Sequence, residues 1–309
     1  MKSKHQPVLL SEVLKIFEDN ALHIFVDGTL GAGGHAAALL ESHPEIELYI
    51  GIDQDPSAID IATTTLKKWQ DKTRFISGNF QAMFELVNSL GLKNVDGILL
   101  DIGVSSMQLD QPEKGFSFMR DGPLDMRMNP NATLNAADIV NTWSEQDLGH
   151  IFRDYGEEKH WRRAAATLVA EREKKPINTT FELNDVLRPV FPWKKKGVNP
   201  LTLIFQALRI AVNNELEVLE NALPQAIELL SPGSRLAIIT FHSLEDRIVK
   251  NAFRYAASDK MSTSGIGGLF LDKKPTLKMI TKKPITPTEE EQSENPRSRS
   301  AKLRVVEKL

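Results

Sequence analysis

Residues 26–36 read Val-Asp-Gly-Thr-Leu-Gly-Ala-Gly-Gly-His-Ala (VDGTLGAGGHA), and four of the seven positions from Gly28 to Gly34 are glycine. The stretch follows an apolar run typical of a short buried strand and precedes a helical pattern. From Gly31 onward it matches G-x-G-x-x-G/A, a pattern that indicates a nucleotide-binding loop when it lies between a strand and a helix. Glycine tolerates a positive φ angle and lets a ligand touch the backbone, and N–H groups at a helix start favour negative charge. The stretch therefore predicts an α/β fold with a ligand at this turn.

The strand-then-helix pattern repeats along the first hundred residues. The pair Asp55-Pro56 is typical of an N-cap followed by proline at the first helical position. Continuous apolar strands that alternate with helices indicate a parallel sheet covered on both faces. The predicted strands are 24–26, 48–52, 74–76 and 95–100, and the predicted helices are 36–40, 55–69 and 80–90.

The alternation stops after Asp101 and resumes with a strongly apolar strand at 235–241. The block between them contains no convincing strand, but it has a long helical pattern over 201–219. We therefore expect an α/β domain formed by residues 1–105 and 213–309, with a mostly helical inserted domain at 106–212. Capping-box pairs predict helix starts in that insertion at Ser144 with Asp147 and at Thr179 with Glu182.

Two final strands are predicted near the C-terminus, at 277–281 and 302–307. The run 284–299 between them is polar and contains prolines, which is typical of a mobile loop. Earlier in this part of the chain, Ser243 to Asp246 has the spacing of another capped helix start.

Composition narrows the class of protein. The chain has 309 residues, 41% of them hydrophobic, and no cysteine, which excludes disulfides, thiolate metal sites and cysteine nucleophiles. No apolar run approaches the roughly 18 residues of a membrane span. A net charge of −3 excludes a globally basic nucleic-acid binder. Basic clusters on this acidic chain nevertheless favour a polyanionic partner; they lie at Arg162-Arg163, Lys174-Lys175, Lys194 to Lys196 and Arg297 to Arg304.

Polar and aromatic side chains at later strand ends indicate which ligand the glycine turn takes. Asp53 ends the second predicted strand about 20 residues after the glycines, where a carboxylate accepts hydrogen bonds from ribose hydroxyls. Nicotinamide dinucleotides and S-adenosylmethionine both suit this arrangement. Phe80 follows the third strand and can pack against adenine, while Asp101 ends the fourth and suits a cationic or amine ligand. These two residues favour the methyl donor, and a nicotinamide-dependent dehydrogenase is the alternative enzyme.

Seven collinear motifs together resemble the RsmH (MraW) family of bacterial methyltransferases over nearly the whole chain. The motifs are DIGVSS (101–106), GFSF (115–118), GPLDMRM (122–128), YGEE (155–158), FQALRIAV (205–212), FHSLEDR (241–247) and NPRSRSAKLR (295–304). The resemblance implies a class I, Rossmann-like, S-adenosylmethionine-dependent methyltransferase, with a helical insertion that recognises the substrate. It also implies methylation of the exocyclic N4 amine of a cytidine, position 1402 in the usual rRNA numbering, in the decoding region of 16S rRNA.

The resemblance also implies the site residues. The cofactor contacts carried over by motif are Gly33, Gly34, His35, Asp53, Phe80, Asp101 and Gln108. For positioning the target amine, the candidates at or near strand ends are Asp101, Ser105 and His242, although His242 can equally be a histidine packed at a strand end. No metal is expected. One departure from the family is Asn199 to Ile204, where the usual run contains a histidine and an arginine.

The implied partner is 16S rRNA or the small ribosomal subunit, in the cytoplasm, with neither a membrane nor DNA as partner. The oligomeric state stays open between a monomer and a homodimer. The site residues alone also leave two other functions open. One is a non-catalytic RNA-binding or assembly protein, and the other is a methyltransferase that acts on DNA or on a small molecule.

Overall fold

The computed structural model describes residues 6–191, 199–262 and 270–309. The chain divides into two compact units, the first formed by Met1–Gly103 and Leu216–Leu309 and the second by Val104–Glu215. The basic run Lys194 to Lys196 lies outside the described residues. Within those residues, no helix combines the length and the hydropathy needed to cross a bilayer.

The first unit contains a seven-stranded sheet with the order β3-β2-β1-β4-β5-β9-β8, and a separate hairpin pairs β6 with β7. Strands β1 to β5 are mutually parallel, whereas β9 runs antiparallel between β5 and β8. The predicted α/β fold with a parallel sheet is therefore confirmed. The strands are β1 (Ile24–Asp27), β2 (Leu48–Asp53), β3 (Thr73–Ser77), β4 (Val95–Asp101), β5 (Leu230–Thr240), β6 (Lys260–Ser262), β7 (Phe270–Asp272), β8 (Leu277–Met279) and β9 (Lys302–Lys308).

Helices cover both faces of this sheet because successive strand residues point to opposite sides. Phe25 packs in a buried cluster with residues of the N-terminal helices, and its neighbour Val26 packs in the cluster on the other face. Asp55 caps the third helix as predicted, its carboxylate accepting the Ser57 N–H at 3.1 Å. The α-helices in this part of the chain are α1 (Leu10–Phe17), α2 (Gly34–Ser42), α3 (Pro56–Thr65) and α4 (Met83–Ser89).

The second unit has its own buried core, built from helix faces and from the loop that carries Met126 and Met128. Its described residues contain an isolated bridge between Pro123 and Thr179 but no longer strand. Thr179 and Glu182 form the predicted reciprocal capping box. The α-helices of this unit are α5 (Ser106–Asp110), α6 (Ala136–Thr142), α7 (Glu145–Asp154), α8 (Trp161–Arg172), α9 (Thr180–Leu187) and α10 (Pro200–Asn213).

The single helix predicted over 201–219 is wrong, because the chain breaks at Asn214. This residue has a φ of 49° and ends α10, and the next helix, α11 (Glu215–Leu229), begins at once. Asparagine is one of the few residues that tolerate the left-handed region. A bidentate ion pair, with both contacts at 2.8 Å, joins Arg209 to Glu215 across the break.

The mobile loop predicted over 284–299 is also wrong. This segment contains the short helix α13 (Glu289–Glu294), which is capped by Thr288. The preceding α-helix in the chain is the long helix α12 (Ser243–Ala257). Backbone hydrogen bonds between Ile285 and Leu303, at 2.8 and 2.9 Å, attach the segment to β9. Polar composition did not prevent order here, because the backbone has partners in the sheet.

Candidate cofactor site at the carboxyl edge of the sheet

The glycine turn connects β1 to α2 at the edge of the sheet where the parallel strands end. Gly33 has a φ of 78° and is the N-cap of α2, a conformation that favours glycine. Gly34 is required for a different reason, because a Cβ at this position would lie 2.6 Å from Cγ of Pro7. The turn is thus tight on one side and presents bare backbone at the start of a helix.

Asp53 is held directly on this turn. Its carboxylate accepts the N–H of Gly31 at 2.8 Å and the N–H of Asp55 at 2.9 Å. Burial raises the pKa of Asp53, and these backbone hydrogen bonds work against that rise. An ionised carboxylate offers about four acceptor sites. Backbone hydrogen bonds from Gly31, Asp55 and Gln54 use up to three of them, so Asp53 retains acceptor capacity for a ligand hydroxyl.

Asp27 ends β1 and is a further candidate for the site, which the sequence pattern did not single out. It is buried, and its carboxylate accepts the Thr29 N–H and the Tyr49 hydroxyl, both at 3.0 Å. Burial raises the pKa of Asp27 to about 6, although the charge of His35 and the two hydrogen bonds act to lower it. A signal was present in the sequence, since Asp27 follows its strand as Asp53 and Asp101 follow theirs.

His35 and Asp101 face each other across the edge of the sheet. His35 Nε2 lies 3.6 Å from Asp101 Oδ2, which is too long for a hydrogen bond. Both ring nitrogens of His35 and Oδ1 of Asp101 are buried without a hydrogen-bond partner among the described residues. The Asp101 backbone is fixed, because its N–H donates to Thr29 Oγ1 at 2.6 Å. Buried polar atoms are nearly always paired in folded proteins, so this gap is suited to a polar ligand.

Phe80 lies beside the glycine turn. It begins a short 3₁₀ helix, which Asn79 caps by accepting the Gln81 N–H at 3.0 Å. A Cβ built on Gly28 would lie 3.2 Å from Cβ of Phe80, which shows how closely the two segments approach. The half-buried ring thus supplies an aromatic surface next to the turn. Phe80 belongs to the first unit, and so do five other predicted cofactor residues: Gly33, Gly34, His35, Asp53 and Asp101.

Ser105 and Gln108 lie in the second unit, where they form a capping box at the start of α5. Gln108 Oε1 accepts the Ser105 N–H at 3.1 Å, and Ser105 Oγ accepts the Gln108 N–H at 3.2 Å. Both side chains therefore have a local structural role. Their assignments to cofactor and target stay predictions that rest on the family resemblance.

His242 is the N-cap of α12, so the helix start predicted at Ser243 is capped one residue earlier. Its Nδ1 accepts the Glu245 N–H at 3.5 Å, and its Nε2 lies 3.0 Å from the Glu245 carboxylate. The same carboxylate accepts the Phe241 N–H at 2.7 Å. The side chain of His242 is buried in this cap, and its role toward the target amine stays a prediction.

Arg304 is not available to bind phosphate, contrary to the interpretation of 297–304 as a phosphate-binding run. It is 4% exposed, and its Nε donates to Asp246 Oδ1 at 2.7 Å. Burial acts to raise the pKa of Asp246, but hydrogen bonds and charge from Arg304 and Lys302 outweigh it and lower the pKa. Of the arginines in this run, Arg297 and Arg299 are exposed.

The sheet order, the glycine turn and the acidic residues at the strand ends define a class I methyltransferase with S-adenosylmethionine as cofactor. The chain belongs to the MraW methylase family, whose model matches residues 2–309. It is 62% identical over 307 residues to a protein of Protochlamydia amoebophila named ribosomal RNA small subunit methyltransferase H, covering 99% of this chain and 97% of that protein. Proteins of the same name from Clostridioides difficile and Heliobacterium mobile are 44% and 46% identical, with full coverage of both chains in each comparison.

Proposed function

We propose that this chain transfers a methyl group from S-adenosylmethionine to the N4 amine of a cytidine in the decoding region of 16S rRNA, position 1402 in the usual rRNA numbering. The observation that carries the proposal is the full-length match to relatives named ribosomal RNA small subunit methyltransferase H, at up to 62% identity among those compared. The cytidine and its N4 atom come from the motif resemblance. We also propose that the reaction takes place in the cytoplasm, because ribosomal RNA is its proposed substrate.

The residues at the sheet edge fit this cofactor. Gly33, Gly34 and His35 offer bare backbone and a helix start, and Asp53 retains acceptor capacity for ribose hydroxyls. Phe80 supplies a ring for adenine. Asp27, Asp101 and the unpartnered nitrogens of His35 form a polar, acidic cluster that suits the ammonium group of the amino-acid tail. When bound, S-adenosylmethionine supplies an electrophilic methyl group on a sulfonium.

The exocyclic amine of cytosine is a poor nucleophile because its lone pair is delocalised into the ring. Its proton need not leave before attack, so positioning matters more than a strong base. Oδ1 of Asp101 has an unused acceptor site, and a hydrogen bond from the amine to this oxygen localises the lone pair on nitrogen. The target base must leave its stack to reach such a site. Asp101 is thus proposed to orient the amine, and Ser105 and His242 are proposed as further positioning residues.

We further propose that the inserted domain, residues 106–212, recognises the RNA. It carries the exposed pair Arg162-Arg163 near the start of α8. The cofactor contact assigned to Gln108 in this domain depends on the motif resemblance. Exposed Arg297 and Arg299, in the other unit, are proposed as additional phosphate contacts.

The test combines a cellular and a purified assay. Nucleoside mass spectrometry of small-subunit rRNA from cells lacking the protein is expected to show loss of the N4-methyl group at the target cytidine. With purified protein and small subunits, transfer of labelled methyl should be abolished by Asp101→Ala and unchanged by Asp71→Ala, the same change at an exposed acid outside the candidate site. Unchanged nucleosides in the deletion strain would refute the proposed target. Full turnover by Asp101→Ala would refute the role of Asp101.

A further inference from the structure

Leu9 has an unusual backbone conformation for its residue type. It precedes α1 with φ 53° and ψ 35°, in the left-handed region, and its side chain is fully buried. For a residue with a Cβ this conformation is unfavourable, because the Cβ lies too close to the following carbonyl oxygen. Such a conformation persists only when the surrounding structure fixes it.

Glu291 supplies a contact that fixes it. A carboxylate oxygen of Glu291 accepts the Leu9 N–H at 2.7 Å, joining residues 282 positions apart. Glu291 lies three residues after Thr288, the spacing of a capping box at the start of α13. Thr288 Oγ1 accepts the Glu291 N–H at 3.2 Å, but the reciprocal bond is not formed. The glutamate side chain is therefore used on the N-terminal turn instead of on its own helix.

The N-terminal turn, residues 7–9, lies against the glycine turn. The ring of Pro7 is packed on the backbone of Gly34, as the 2.6 Å distance from Cγ to a Cβ built on Gly34 shows. Val8 and Leu9 are buried in the same cluster as Ala36 and other residues of α2. A shift of Leu9 thus moves both the ring that covers Gly34 and the packing behind the helix start.

We propose that Glu291 is a positioning residue for the cofactor turn, acting through Leu9 and Pro7. This inference rests on the proposed role of Gly33 to His35 in binding the cofactor. The carboxylate holds Leu9 in its left-handed conformation, which seats Pro7 on Gly34 and fixes the N–H groups at the start of α2. The segment 284–300 therefore stabilises the cofactor site, although none of its residues belongs to the glycine turn.

The test compares three variants of the full-length protein. Glu291→Ala removes the acceptor, Glu291→Gln keeps an amide oxygen that can accept the same N–H, and Glu290→Ala changes the exposed neighbour on the same helix. Binding of S-adenosylhomocysteine is measured by calorimetry, and KM and kcat are measured with S-adenosylmethionine and small subunits. For Glu291→Ala we expect Kd and KM to rise roughly tenfold, equivalent to the loss of one hydrogen bond of about 1.4 kcal/mol. Its kcat at saturating cofactor should stay within about twofold of wild type, and the other two variants should resemble wild type.

Wild-type Kd and KM in Glu291→Ala would overturn the proposal. A fall in kcat by the same factor as the rise in KM, if Glu291→Gln does not restore either value, would also overturn it. If Glu291→Ala does not fold, Pro7→Ala tests the same link, since it removes the ring from Gly34 and leaves the Leu9 hydrogen bond in place. A wild-type Pro7→Ala Kd would then overturn the proposal.

Hydrogen exchange separates this inference from the cofactor assignment. In cofactor-free protein, the backbone amides of residues 8–10 and 33–36 should exchange faster in Glu291→Ala than in wild type, whatever the ligand is. If wild type does not bind S-adenosylhomocysteine but exchange accelerates as expected, the cofactor assignment fails and the mechanical link stands. Unchanged exchange at residues 33–36 would overturn the link itself.

Discussion

Asp27→Asn is expected to make the protein more stable at neutral pH while impairing cofactor binding. In the folded protein, burial raises the pKa of Asp27 to about 6 from an ordinary value of 3.8. Between these values the folded state holds a proton that the unfolded state has released, so stability falls as pH rises through the interval. Asparagine has no charge to bury, and its oxygen can still accept the Thr29 N–H. The Tyr49 hydroxyl can then accept from the new amide.

The magnitude follows from the pKa difference. A shift of about two units at about 1.36 kcal/mol each costs the folded wild type about 3 kcal/mol above pH 7. At pH 5, where folded Asp27 is mostly protonated, the cost is about 1.6 kcal/mol. The stability difference between Asp27→Asn and wild type should therefore widen by about 1.4 kcal/mol from pH 5 to pH 8.

Urea unfolding of both proteins at pH 5, 6, 7 and 8 measures this difference, and contributions from other titrating groups largely cancel in it. Titration of the carboxyl carbon of Asp27 by NMR gives the pKa directly. The difference in unfolding free energy between the two proteins should increase from pH 5 to about pH 6.5 and stay constant above that pH. A difference independent of pH, together with a carboxyl that titrates near pH 4, would show that burial does not govern Asp27.

Three further changes test the contacts around the site and the proposed partner. Thr29→Val should lower the free energy of unfolding by about 1–3 kcal/mol, because the Asp101 N–H loses its acceptor. Urea unfolding should show that Thr29→Ser, which keeps the hydroxyl, is close to wild type. Equal losses of stability in the two variants would contradict the role of this hydrogen bond. Asp246→Ala should cost about 3–5 kcal/mol by leaving the Arg304 charge buried and unpaired. In thermal unfolding, the double change Asp246→Leu with Arg304→Met should recover most of that loss, and no recovery would argue against the ion pair as its cause. Arg299→Gln should reduce the slope of log affinity for small subunits against log salt by roughly 0.7–0.9; an unchanged slope would remove Arg299 from the RNA surface.

The strands and the glycine turn were predictable because each rests on local pattern. The apolar runs that became β1, β2 and β4 are bounded by turn residues and end in acids, and the Asp55-Pro56 pair began α3 as its capping chemistry requires. These features depend on residues a few positions apart. Side-chain period and capping are visible in such windows.

Two of the three errors involve contacts between residues far apart in the chain. The order of the segment 284–300 depends on Leu303 of β9 and on Leu9 near the N-terminus, which no local window shows. The pairing of Arg304 with Asp246 likewise joins β9 to α12. The break at Asn214 was marked only by a residue type, and helical periodicity on both sides of it favoured one helix over two.

Asp27 is an exception to the rule that buried positions are apolar or paired, and a pattern search for a buried core therefore does not select it. An acid placed where strand ends are buried lowers stability, as its raised pKa records, and the nearby Asp101 charge adds to that effect. The pKa of Asp53 is raised as well. His35 of α2 and Asp101 of β4, whose charges both act on Asp27, leave buried polar atoms unpaired. In a sequence chosen for stability alone, such groups would be paired or replaced by apolar ones. Their concentration at one edge of the sheet is explained if a ligand with positive charge and hydrogen-bonding groups completes them, so the cost in stability is itself an argument for the position of the site.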